Sequence, residues 1–136
     1  MCVVFITLAM TPAEAQHRGE STVYVDVRQL GSRVIFSVRG VKLGTKDSVR
    51  SEIASLAVSD GREIIWEVEH KDFLTLWREE GAEEVEYGIV PEGFRQLVPR
   101  LGSPRPLSPG KTYNVLVSPP DAPSKLVQFT YSAAAR

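Results

Sequence analysis

Carboxylates are the one chemical group in which this sequence is enriched. Between Asp60 and Glu92 stand eleven acidic residues and three basic ones, a local net of −8, and Glu79, Glu80, Glu83, Glu84 and Glu86 crowd into eight positions. Such a density suits a cation site, an acidic docking face or a glycosidase pair. A calcium loop, however, alternates Asp and Asn around a defining Gly, and this run of glutamates does not. A glycosidase pair needs two carboxylates opposed across a cleft, a property of the fold and not of spacing. The favoured reading is solvated turn and strand-edge glutamates, whose charge deters one sheet from adding to another.

The rest of the catalytic inventory is thin. His17 and His70 have no partner at ligand or acid–base spacing, so each reads as a solvated residue. No serine occupies a Gly-x-Ser-x-Gly elbow, and no glycine-rich phosphate loop occurs. The single cysteine, Cys2, lies beside the first apolar stretch and permits neither an intrachain disulfide nor a cysteine zinc site. The sequence therefore predicts no catalytic residue, no metal and no cofactor. What remains is contact chemistry. Trp77 stands outside the regular alternation, and Phe94, Arg95 and Gln96 sit between Pro91 and Pro99. Aromatics beside Arg on a stiff loop are favoured contact residues. The alternative is that both rings cap the ends of a core.

The elements that would carry these residues have period two. Val23, Val25 and Val27 alternate with polar neighbours, Gly31 breaks the run, and Val34, Phe36 and Val38 resume it, which predicts a hairpin. Gly40–Arg50 reads as a loop. Ile53–Val58 and Glu63–Glu69 flank Asp60-Gly61, a strong hairpin signal because the turn needs residues that tolerate positive φ. Ile64, Trp66 and Val68 then share one face. Helical spacing within 50–58 is the weaker reading. Val85, Tyr87 and Ile89 form a further strand, Phe94–Val98 a short extended piece, and 99–110 a stiff connection with four prolines. Thr112–Ser118 and Leu126–Tyr131 complete the domain. No long 3.6-residue period appears. Seven to eight short strands predict an all-β antiparallel fold over residues 22–132, a sandwich or a small barrel.

The chain has 136 residues, 43% of them hydrophobic and 24% charged, with a net charge of −1. That is one domain's length, and the balance argues against a general nucleic-acid binder. Charge is nevertheless blocked along the chain: residues 28–50 carry a net of +5, and 93–111 hold four basic residues and no acid. A basic–acidic–basic order predicts cross-strand pairing, ahead of a polarised surface that steers a charged partner. At the N-terminus, residues 2–10 are apolar, and Pro12 and Ala13-Glu14-Ala15 follow. This predicts a signal peptide over 1–15, cleaved before Gln16, with a flexible lead-in over 16–21 and a periplasmic or secreted location. The run is too short to span a bilayer. The competing reading makes residues 2–9 a first buried strand.

Residues 106–117, Pro-Leu-Ser-Pro-Gly-Lys-Thr-Tyr-Asn-Val-Leu-Val, resemble the corner before the penultimate strand of fibronectin type III and related immunoglobulin-like domains. The resemblance implies that Leu107 and Tyr113 hold this corner, with the hydroxyl of Tyr113 bonded back across it, and that Trp66 stands for the inter-sheet tryptophan. Residues 87–94 resemble a segment of small exported bacterial proteins, a likeness that implies no activity. The expectation is a non-catalytic exported module that binds an envelope protein or a cell-surface polymer. The alternatives are an inhibitor or accessory factor of an exported enzyme acting through the proline-rich 91–109 loop and, remotely, a carboxylate-based hydrolase.

Overall fold

The computed structural model describes residues 22–41, 48–50, 52–72, 81–120 and 122–133. Within them the chain forms nine strands and no helix: β1 (Thr22–Leu30), β2 (Arg33–Val41), β3 (Ser48–Arg50), β4 (Ser55–Ser59), β5 (Ile64–His70), β6 (Glu84–Glu86), β7 (Phe94–Val98), β8 (Thr112–Ser118) and β9 (Lys125–Thr130). Every pairing is antiparallel. One sheet has β2 at its centre, with β1 on one side and β3 and β6 on the other. The second runs β7-β5-β4-β8-β9. The all-β sandwich is thus the observed class.

Alternation turns one face of each strand inward. Val23, Val34, Phe36 and Val38 of the first sheet meet Leu56, Val58, Trp66, Val68, Tyr113, Val115 and Val117 of the second. Trp66 is wholly buried, and its ring packs edge-on to Tyr87 at 5.2 Å. Removing a ring of that size from a filled core costs about 3–5 kcal/mol. Gly61, at φ 91°, turns the β4–β5 hairpin as its Asp-Gly signal requires.

Three expectations shift. The loop over 40–50 contains the short strand β3. The strand at 85–89 stops at Glu86, because Tyr87-Gly88 turns with Gly88 at φ 85°. Ile64 does not join Trp66 and Val68 in the core. A register shift between Val58 and Ser59 moves Ile65 inward and leaves Ile64 exposed.

The charge blocks meet as cross-strand pairs. On the outer face of the first sheet, Arg28 bonds Glu84 and Arg33 grips Glu86 through two bonds of 2.8 Å. Arg39 reaches Asp26 at 3.3 Å and lies over the Tyr24 ring. On the second sheet Arg95 pairs with Glu69 across β7 and β5. The outer face over β4, β8 and β9 differs. Ser55, Ala57 and Ser59 lie beside Asn114, Leu116 and Ser118, and these beside Leu126 and Gln128. No charge interrupts it.

Candidate functional site

The second-sheet end that carries β7 holds most of the sequence-predicted contact residues. Phe94 is only 5% exposed, its ring edge-on to His70 at 5.3 Å. It takes the core-capping alternative. His70 accepts a bond at Nδ1 from the Asp72 amide, 3.2 Å away, and so closes the turn after β5. Arg95 is exposed but engaged by Glu69. Trp77 lies outside the described residues, as do Glu79 and Glu80. Among the described residues no group of three His, Cys, Asp or Glu side chains could hold a metal ion.

Gln96 is the informative member of the set. Strand alternation points it inward, beside Val68, where a bare amide needs partners on both ends. Its Oε1 accepts the indole N–H of Trp66 at 3.0 Å, and its Nε2 donates to the carbonyls of Pro99 at 2.7 Å and Gly102 at 2.8 Å. One side chain thus links the centre of the core to both ends of a four-residue loop. Arg100 and Leu101 lie between the two anchored carbonyls and project outward. Leu101 is 90% exposed, the most exposed large apolar side chain among the described residues. Gly102 at φ 78° closes the loop, a conformation that glycine adopts without strain.

The far side of this loop is fixed as firmly. Tyr87 donates its hydroxyl to the Arg105 carbonyl at 2.8 Å. Burial of the phenol, with Tyr113 nearby, pushes its pKa up to about 12, so it remains a donor at any physiological pH. The Arg105 guanidinium reaches Asp60 at 3.2 Å and also Glu63, and Lys111 stands 3.5 Å from Asp60. Asp60 accepts the Arg62 and Glu63 amides, each at 3.0 Å. Those two amides, then the two cations, hold its carboxyl down at about 2. Further on, the Ser108 amide donates to the Tyr113 hydroxyl at 2.8 Å, while Leu107 packs against the core.

Every anchor therefore grips the connection between β7 and β8 while leaving Arg100 and Leu101 free. No carboxylate pairs with Arg100 among the described residues. Chemically this is a preorganised contact element: an apolar side chain beside a cation, with little left to order on binding. Of the residues the sequence singled out, Phe94 and Gln96 turn inward and Arg95 is ion-paired, while Arg100 and Leu101 belong to the 91–109 loop that the sequence also offered. Pro99 and Gly102 around Leu101 were the available signal, but exposure of one leucine is not written in period or composition. No protein-family model, curated protein or solved structure matches this chain.

Proposed function

We propose that this chain is an exported, non-catalytic, immunoglobulin-like or fibronectin type III-like module that binds another protein of the cell envelope through the Arg100–Leu101 loop. The single observation that carries the reading is the Trp66–Gln96 brace, which holds a fully displayed leucine on a connection anchored again at Arg105, Leu107 and Ser108. A partner with an apolar pocket next to a carboxylate meets both side chains. The fold-family reading is supported by strand order: β1-β2-β6 faces β9-β8-β4-β5, with β3 and β7 as additions. It is also supported by Tyr113, which opens β8 and bonds back to the upstream backbone as the tyrosine corner does. Export is supported by the 2–15 segment alone.

The test is crosslinking and affinity capture with the mature chain from its envelope or culture fraction, run beside Leu101→Asp. Recovery of one stoichiometric protein by the wild type and its loss with L101D supports the reading. Retention on cell-wall material alone, equal in both, points to polymer binding and excludes the loop as the contact. Mass spectrometry of the chain from the same fraction tests export, which requires an N-terminus at Gln16.

The inhibitor reading uses the same loop, since a rigid apolar projection is also what blocks an enzyme's pocket. It is separated by the captured protein itself. An exported enzyme whose turnover falls on adding the wild type, but not L101D, selects the inhibitor.

A further inference from the structure

Among the described residues, the sheet edges formed by β7, β1 and β9 are not equally protected. The β7 edge is bounded by Pro91 and Pro99 and twisted by a register shift opposite Glu67 and Val68. The β1 edge carries Asp26 and Arg28. At β9 only Lys125 is charged in Lys-Leu-Val-Gln-Phe-Thr, and among the described residues no further strand pairs with it beyond β8.

The backbone direction along β9 is fixed by its end. The Tyr131 amide donates to the Lys111 carbonyl, and the Tyr131 carbonyl accepts from Gly110, so the peptide groups of Tyr131 face β8. Alternation then turns those of Phe129 and Val127 toward β8 and those of Leu126, Gln128 and Thr130 away from it. The side chains agree: Thr112–Thr130 and Asn114–Gln128 touch at 2.9 and 2.8 Å, as expected of the closer, non-hydrogen-bonded pairs. One residue further, the outward groups of Ser132 are taken by the Gln29 side chain, whose Nε2 donates to the carbonyl at 2.8 Å and whose Oε1 accepts the amide at 3.0 Å. An amide in strand-like pairing already occupies one end of this edge. Beyond it, the inward-facing Val127 and Phe129 of β9 and Val25 and Val27 of β1 are only partly covered.

We propose that the outer edge of β9 is a strand-addition site for an extended segment of another protein, uncharged opposite Leu126–Thr130 and carrying a carboxylate opposite Lys125. Backbone groups of Leu126, Gln128 and Thr130 supply the ladder. Alternate side chains of the incoming segment cover Val127 and Phe129 on one face and lie beside Leu126 on the other. Lys125 is exposed and has no ion-pair partner among the described residues. A second copy pairing β9 on β9 would leave that charge unmet, because β9 contains no acid. This surface is independent of the Arg100–Leu101 loop.

The probe is a soluble peptide of about eight residues, alternating valine and threonine with one terminal aspartate, beside a version ending in lysine. Gln128→Pro removes an outward amide without touching the β8–β9 ladder, since its N–H faces away from β8. Gln128→Ala removes the same side chain and keeps the amide. The wild type and Q128A bind the aspartate peptide, Q128P binds at least about tenfold more weakly, and K125E reverses the preference between peptides. Amide exchange slows at Leu126, Gln128 and Thr130 of the wild type when peptide is added, a readout that needs no variant. Absence of peptide binding, equal binding by Q128P, or protection elsewhere overturns the proposal. So does sedimentation showing that the free chain dimerises through β9. L101D leaves peptide binding unchanged, so failure here and failure of the loop reading are told apart.

Discussion

Gln96 uses both ends of its amide, and the consequence of removing it is asymmetric. Gln96→Ala leaves the buried Trp66 N–H without an acceptor and frees the Pro99 and Gly102 carbonyls to solvent. An orphaned buried donor costs about 1–3 kcal/mol, so denaturant unfolding of Q96A shows a loss in that range. Capture of a partner falls further than stability does, because Leu101 is no longer held. Two carboxylates give opposite pH signatures. The pKa of Asp60 lies at about 2 in the folded chain, below its ordinary 3.8. Its contribution is therefore present above about pH 4 and lost as pH falls through 2. Asp60→Asn is destabilising at neutral pH, and the gap from wild type closes in acid. Glu67 is raised, by burial first and by Glu69 second, so its charged form is disfavoured on folding. Glu67→Gln is stabilising at neutral pH, and that gain vanishes once the carboxyl is protonated. Thermal melts from pH 2 to 7 check both signs.

Strands were legible wherever one face is buried and the other wet. The β1–β2 and β4–β5 hairpins, β8 and β9 all stand where alternation and turn residues put them, because period two and a glycine turn are local facts. The missed elements depend on something distant. β3 is three residues whose place is set by β2, and Ile64 is displaced by a bulge that its own sequence does not announce. The Pro99–Gly102 loop was legible only as a stiff connection: Pro99 and Gly102 mark it, but the brace comes from Gln96 and Trp66, thirty positions apart. Gly81 is another element-level case. A methyl there would lie 2.6 Å from the Ile53 carbonyl oxygen and 2.9 Å from the Glu52 side chain, at the bridge joining Ile53 to Ala82. Gly81→Ala forces that bridge apart and lowers stability by about 1–3 kcal/mol, read from the denaturation midpoint.

Across the whole molecule, the charge order along the chain was the most faithful signal in the sequence. Its acidic middle does pair with its basic flanks, and the ion pairs join residues as far as 56 positions apart. The arginine of each pair is at least half exposed, so the pairs add little to the stability of the finished fold. Their larger effect falls before it exists. In the unfolded chain, two basic blocks attract the acidic block between them and draw together the segments that must become β1, β2 and β6. An all-β chain of this kind folds slowly because its contacts are remote, and that attraction shortens the search. Added salt screens it. In stopped-flow measurements, raising ionic strength slows refolding several-fold while the unfolding rate hardly moves. That response would make the charge ladder on the outer face a guide to the order in which the strands find each other.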